Sequence, residues 1–523
     1  MTNDTKPVFN LLDEPWIPVR TCGGEIREIS LTDALLNARD YDSLAETSPP
    51  NLIALYRLLL AVLHRALTTN NGAWRDVDRA RWFREGLPDE PIRVYLEQWR
   101  ERFWLFHSQH PFMQVALLAE AAETRDKQKV WTQIAIEKPS PSEPAMFDHA
   151  VDTQPFPVPA AQALRDLLGF LQFVPGKLVQ SIKVSDKAGS LANTAAVVPT
   201  GESLLQTLSL GLHPWDGRRA EDLPAWERPA PTITELRAAP KLAAGPNDRY
   251  SRLSRAVLLI PEDEVNSVRY IRFAAGLALE EDANAPDPMA CHRINHEGKA
   301  IRISFTEGRS IWRELPSLVP DVSGTHNMPA AILGWAANLY NAMGRWDAPI
   351  QILTAGLASN QAKLLRWRAE RIELPCSFLT EPDLAAELRQ QIRLVEDVYL
   401  KLRRVCAGMI ASTMPGPEHK ETKARAKAIQ ENSPAAAVFF STAERALPKL
   451  MQQIAAGDID AAHQDWMVAL KDAAVQAWEV TRKSLGDSPA VMRAEARAYP
   501  KFSGLLHSLE QPETVSNKEE GTP

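Results

Sequence analysis

The sequence predicts an α+β protein: a large mixed N-terminal domain (1–374), an all-α C-terminal four-helix bundle (375–510) and a polar tail (511–523). Three observations carry that reading. Before about residue 375, short β-prone runs alternate with apolar stripes at helical spacing. After it, strand signals fade and apolar residues recur every three or four positions. A chain of 523 residues, 45% of them hydrophobic, also exceeds one domain and can bury a sizeable core.

In chain order, residues 9–35 place β-prone runs around Gly23-Gly24, which predicts a hairpin, with Ser30 or Thr32 capping the helix that follows. Leu52, Leu55, Leu58, Leu59, Val62 and Leu63 mark a strong helix from Asn51 to about Thr68. Residues 91–106 carry Trp and Phe at helical spacing and end at His110-Pro111-Phe112-Met113. A loop runs from Pro139 to Pro157, and a helix from Pro159 to Phe173 is broken by Val174-Pro175-Gly176-Lys177. The Pro- and Trp-rich stretch 214–247 reads as an extended connector on the domain surface. Ala256–Ile260 and Ile301–Phe305 read as strands that rejoin the α+β body.

Beyond residue 375, Leu384, Leu388, Ile392, Val395, Tyr399 and Leu402 form one stripe, and Trp466, Leu470, Ala474 and Trp478 another. Ser433-Pro434 and Pro489 mark helix starts, and short turns between antiparallel helices imply the bundle. The tail Gln511–Pro523 is polar and expected to be disordered.

A net charge of −7 argues against indiscriminate nucleic-acid binding, so such contacts must come from local basic patches or from partners. Cys22, Cys291, Cys376 and Cys406 are scattered without a CxxC, which fits a reducing cytoplasm. The N-terminus lacks a secretory pattern and no apolar run reads as a membrane span.

For chemistry, Cys291-His292 with His296 is the one metal-like cluster, and it lacks a second ligand pair, zinc-finger spacing or an HExxH. P-loop and nucleophile-elbow motifs are absent as well, so the sequence implies no enzyme, metal or cofactor. Binding has more material. In Ala355–Arg366, a small-residue turn precedes Asn360 and Gln361 at the start of an expected basic helix that carries Lys363, Arg366 and, just beyond, Arg368. Adjacent side-chain amides can replace base-pair hydrogen bonds, and the cations can hold phosphates. The plainer alternative is that Ser359 or Asn360 only caps a helix. Phe147, beside Asp148 and His149, can stack on an exposed base or anchor its loop. Gly176-Lys177 offers close backbone approach with one charge. Basic runs at Lys401, Arg403 and Arg404, and from Lys420 to Lys427, suit phosphates or a solvated helix face.

The chain resembles the CasA family, the large subunit of the type I-E CRISPR surveillance complex, Cascade. The resemblance rests on Asn10–Arg20, His110–Gln114, Met146–His149, Pro224–Glu227, Asp287–Met289 and Ser359–Ala362, which occur in the family's order across nearly the whole chain. It implies a non-catalytic subunit that reads the protospacer-adjacent motif (PAM) in double-stranded DNA and helps open the duplex for guide RNA pairing. Its partners are then the other Cascade subunits, the CRISPR guide RNA, target DNA and a helicase-nuclease for which it provides a docking surface. Asn360 and Gln361 match the family's wedge, and the Phe147 loop is expected beside the guide RNA handle. Two positions depart from the family. Its glycine-rich loop falls near Val174–Gln180, where only Gly176 is present. Its lysine finger falls near Ala274–Glu280, which holds no lysine, although Arg269 and Arg272 precede it. The rival readings are a structural subunit without DNA contact and a metal-dependent hydrolase.

Overall fold

A computed structural model describes residues 6–70, 72–137, 155–178, 181–183, 185–215, 221–262, 266–282, 284–321, 327–360 and 363–510. The chain divides into two units, Met1–Thr380 and Glu381–Pro523. The expected α+β body with a helical C-terminal region is what forms. The tail 511–523 lies outside the described residues.

In the first unit the chain enters through Ile17–Thr21, flanked antiparallel by Ile26–Ile29 and Tyr41–Leu44. Gly24 takes a positive φ of 84° in the expected hairpin turn. Ser30 then caps the helix Leu31–Leu36, its hydroxyl accepting from the Asp33 N–H at 3.2 Å. The helix Pro49–Asn70 packs against the helix Ala160–Phe173 at the centre of the unit. Pro49–Thr69 is long and apolar enough to cross a membrane by length and composition, contrary to the sequence reading. It is a core helix instead, because 83% of its apolar window is buried within the protein.

Two other expectations are corrected. The helix expected over 91–106 covers only Asp89–Gln98, after which Trp104–Phe106 forms a strand paired with Val8–Asn10. A β-prone aromatic run takes the available strand partner over helical continuation. The Pro-rich stretch expected as a surface connector over 214–247 does run largely at the surface over 229–245, but it is anchored in the core: Trp226 is buried, stacked on Phe112 with ring centroids 5.8 Å apart. Its indole N–H donates to the Tyr95 hydroxyl at 2.8 Å, and Glu227 accepts two 2.7 Å hydrogen bonds from Arg65. Several segments that carry the family resemblance are therefore core-building. Asp287 is fully buried against Arg57, whose guanidinium also donates to Gln172 and Ser190, each at 2.8 Å. Burial alone would raise the Asp287 carboxyl, but Arg57, Arg249 and Arg302 hold it below its ordinary value.

Two sheets position the candidate interface. In one, Arg255–Glu262 pairs antiparallel with Ser267–Ala275, whose other edge takes Lys129–Val130 and Val158–Pro159. In the other, Pro349–Asn360 is central, antiparallel to Ala196–Thr200, parallel to Phe305–Thr306, and antiparallel to Lys363–Pro375 on its far side.

The second unit comprises Pro382–Ser412, Lys420–Glu431, Ala435–Ala455, Ile459–Ser484 and Pro489–Glu510. The four long helices form the bundle. Pro382–Ser412 packs against Pro489–Glu510, and Ala435–Ala455 against Ile459–Ser484. Leu388, Ile392, Val395, Leu402, Trp466, Leu470 and Trp478 are buried as the stripes predict, and Trp478 stacks on Phe502 at 4.4 Å.

Candidate nucleic-acid interface

The segment expected as a turn and a basic helix is a long β-hairpin. Pro349–Asn360 and Lys363–Pro375 pair from Pro349↔Pro375 to Asn360↔Lys363, with one irregularity between Ala358 and Ser359. Asn360 and Lys363 thus flank the tip as register partners, while Gln361 and Ala362 lie outside the described residues. Cations at 363, 366, 368 and 371 mimic helical spacing, but these positions pair along a strand, and at the base of the hairpin exposure alternates. Ile350 and Ile352 are buried around exposed Gln351, and Leu374 is buried beside exposed Glu373. Gly356 allows the packing, since a Cβ there would lie 2.2 Å from the Thr194 carbonyl oxygen.

Trp367, which the sequence reading passed over, joins the hairpin to two other candidate elements. Its ring meets Phe173 edge-on with centroids 5.3 Å apart, at the end of the helix that leads into Pro175-Gly176. Its indole N–H donates to the Ile136 carbonyl at 3.2 Å, just ahead of residues 138–154. Phe147, Asp148 and His149 fall in that span and lie outside the described residues. The chain beyond it is fixed where Trp131 donates to the Phe156 carbonyl at 2.8 Å and Arg269 to the Pro155 carbonyl at 3.0 Å.

Gly176 is exposed and leads into a small hairpin of Lys177–Leu178 and Ser185–Asp186. Its base is locked by a buried ion pair, Arg255 to Asp186 at 3.3 Å. Arg255 also donates to the carbonyls of Pro175 at 2.9 Å and Lys187 at 2.6 Å. Burial lowers the Arg255 guanidinium below its usual value, with Asp186 offsetting part of the effect. The second Asp186 contact is the Gly276 N–H at 2.7 Å, and the Ser181 carbonyl accepts from the Ala275 N–H at 3.4 Å. The Gly176 loop and the stretch 274–280, more than 80 residues apart in sequence, therefore lie side by side. Arg255, Asp186 and Gly276 give no motif; only the long-range pairing reveals them.

The expected phosphate ligands fare unequally. Of Lys177 and Lys363 only the backbone is described. Arg272 is half-buried and donates to the Arg125 carbonyl at 3.1 and 3.2 Å. Arg269 pairs with Glu262, and Arg368 donates to the carbonyls of Thr306 (3.2 Å) and Arg309 (3.1 Å) while pairing with Glu370. Both are engaged within the fold. On the bundle, Arg403 and Lys427 pair with Glu431, and Lys423 with Glu418.

The metal-site residues do not converge. Cys291 and His292 are buried, while the His296 side chain is 89% exposed beside Glu297. Burial pushes the Cys291 thiol up to about 12 and lowers the His292 imidazole, so neither is poised as a nucleophile or base. Among the described residues, no group of three or more His, Cys, Asp or Glu side chains could hold a metal ion.

A mixed sheet-and-helix body that carries a long hairpin, followed by a helical bundle, is the architecture of a class of CRISPR-associated proteins. The Thermus thermophilus CasA (Cse1) structure matches with a TM-score of 0.81 and 30% identity, covering 96% of this chain and 100% of that one. Thermobifida fusca Cse1 matches at 0.75 and 23% identity, covering 96% and 98%. A chain of a CRISPR RNA-guided surveillance complex matches in fold at 0.74 and 20% identity, covering 95% and 100%. In sequence, the Thermus thermophilus CRISPR-associated protein CasA/Cse1 is 33% identical over 513 residues, 96% of this chain and 98% of that protein. The chain belongs to the CRISPR-associated protein Cse1 family, whose model matches residues 10–477.

Proposed function

We propose that this protein is the large, non-catalytic subunit of a type I-E CRISPR RNA-guided surveillance complex in the cytoplasm. In this reading it recognises the PAM in double-stranded DNA and helps open the duplex for the guide RNA. It then presents a surface, including its helical bundle, to the helicase-nuclease. The hairpin carries the reading: two long paired strands make a stiff ribbon, of a kind the DNA major groove admits, whose last register pair is Asn360 with Lys363, next to Gln361 in the sequence. Unstacking a base step costs a few kcal/mol, and inserted amides recover part of that cost in hydrogen bonds. Trp367 supports a common frame for the three elements, since it braces the hairpin against Phe173 and Ile136. Gly176 and Lys177 would approach the flanking duplex, with Arg272 on the neighbouring sheet. Phe147, Asp148 and His149 would meet the guide RNA handle. Base pairing then reads the rest of the target, as in other RNA-guided effectors.

The test is Asn360→Ala combined with Gln361→Ala in the assembled complex. Duplex opening, followed with a base-analogue fluorophore beside the PAM, should slow while incorporation of the subunit is unchanged. Opening at the wild-type rate would remove the wedge assignment.

A further inference from the structure

Lys183 sits at the turn of the small hairpin, and its surroundings are unusual. The preceding residue, Ile182, has a φ of +69°, in the left-handed region that β-branched side chains avoid. The Lys183 N–H donates back to the Ser181 carbonyl at 2.8 Å, which closes a three-residue γ-turn around Ile182. That turn is the rare, strained form. Strained backbone persists where surrounding structure holds it, and it concentrates at functional positions. Here the Ser181 carbonyl is tied to Ala275 and the hairpin base to Arg255.

The strained turn directs a half-buried ammonium to one neutral acceptor, the Ala238 carbonyl at 2.6 Å. Among the described residues no carboxylate lies within 4.0 Å of it. An ammonium carries three donors, so its charge and remaining donors are open to an anion. Exposed Lys241 follows Ala238 by three residues, and its charge is shared with the Glu235 carboxylate. Its N–H donates to the Ala278 carbonyl at 3.1 Å and its carbonyl accepts from Glu280 at 2.9 Å, alongside the uncharged run Ala274–Leu279.

We propose that Lys183 is a pre-aimed cation that leaves the Ala238 carbonyl to hold a backbone phosphate of the target duplex. This inference rests on the proposed function and adds a contact to it. A phosphate contact positions DNA without reading sequence, so its loss weakens every flank alike and flattens the salt dependence.

The experiment uses the assembled complex, with matched duplexes bearing several flanking motifs, titrated across a salt series. Lys183→Ala should weaken binding roughly three- to tenfold on every flank and reduce the salt slope by about one. Lys183→Arg should restore most of the affinity, and Ile182→Gly, which relaxes the turn but keeps the charge, should give an intermediate loss. Matching thermal unfolding of variant and wild type confirms that the loss is not one of folding. Unchanged affinity and slope, or a loss confined to one flanking motif, would overturn the phosphate assignment. Wild-type affinity in Ile182→Gly would overturn the role of the strained turn. If the wild-type chain itself confers no duplex binding, the proposed function fails; if it does and Lys183→Ala retains it in full, only this inference fails.

Discussion

Replacing Trp367 by Ala should loosen the interface without unfolding the protein. The substitution removes the edge-on contact with Phe173 at 5.3 Å, worth about 1 kcal/mol. It removes the indole hydrogen bond to Ile136 at 3.2 Å, worth about another 1 kcal/mol net. The side chain is half-buried, so its lost apolar area adds about 1–2 kcal/mol, less than a core Trp would. The expected cost is thus about 3–4 kcal/mol, against the 5–15 kcal/mol typical of folded domains. Denaturant unfolding of the free chain should shift the midpoint of the N-terminal unit alone, since Trp367 lies within Met1–Thr380. Hydrogen exchange should accelerate along 363–375 and 174–187, and target opening should slow although Asn360 and Gln361 are intact. Trp367→Phe keeps the ring contact and should cost only about 1 kcal/mol. Unchanged stability and exchange in Trp367→Ala would refute the idea that this residue ties the three elements together.

Two further outcomes follow from the same geometry. Gly276→Ala would place a Cβ 2.4 Å from the Leu253 carbonyl oxygen and 2.5 Å from the Arg255 backbone, atoms that cannot swing aside. It should cost about 1–3 kcal/mol and expose the Gly176 hairpin to limited proteolysis. Asp166 is buried, and burial raises its carboxyl to about 6, with hydrogen bonds from Asn51 and Gln162 opposing. Between its unfolded value near 4 and about 6 the folded state holds the extra proton, so stability falls as pH rises through that window. Asp166→Asn should flatten that fall and gain up to about 3 kcal/mol above it, as measured by urea unfolding across pH.

Much of the fold can be read from local pattern. The Gly24 turn, the Ser30 cap, the helix around Leu55 and Leu59 and the bundle stripes each depend on residues within a few positions of one another. The misread strands and connector involve distant partners. Lys363–Arg371 spaces its cations like a helix, and only pairing with Pro349–Asn360, itself held by Ala196–Thr200, makes it a strand. Trp226 sits among prolines that suggest a surface, yet Tyr95, Phe103 and Phe112 enclose it. The candidate site was half visible. Asn360, Gln361 and Gly176 stand out by type and neighbourhood, whereas Trp367, Arg255 and Lys183 acquire meaning only through Ile136, Asp186 and Ser181.

The most direct measurement compares binding of matched double-stranded DNA by the remaining Cascade subunits with and without this protein, on duplexes that differ only in the motif flanking the target. The account predicts that adding the protein creates binding that depends on that motif. Binding that is the same with and without it, or independent of the flank, would contradict the assignment.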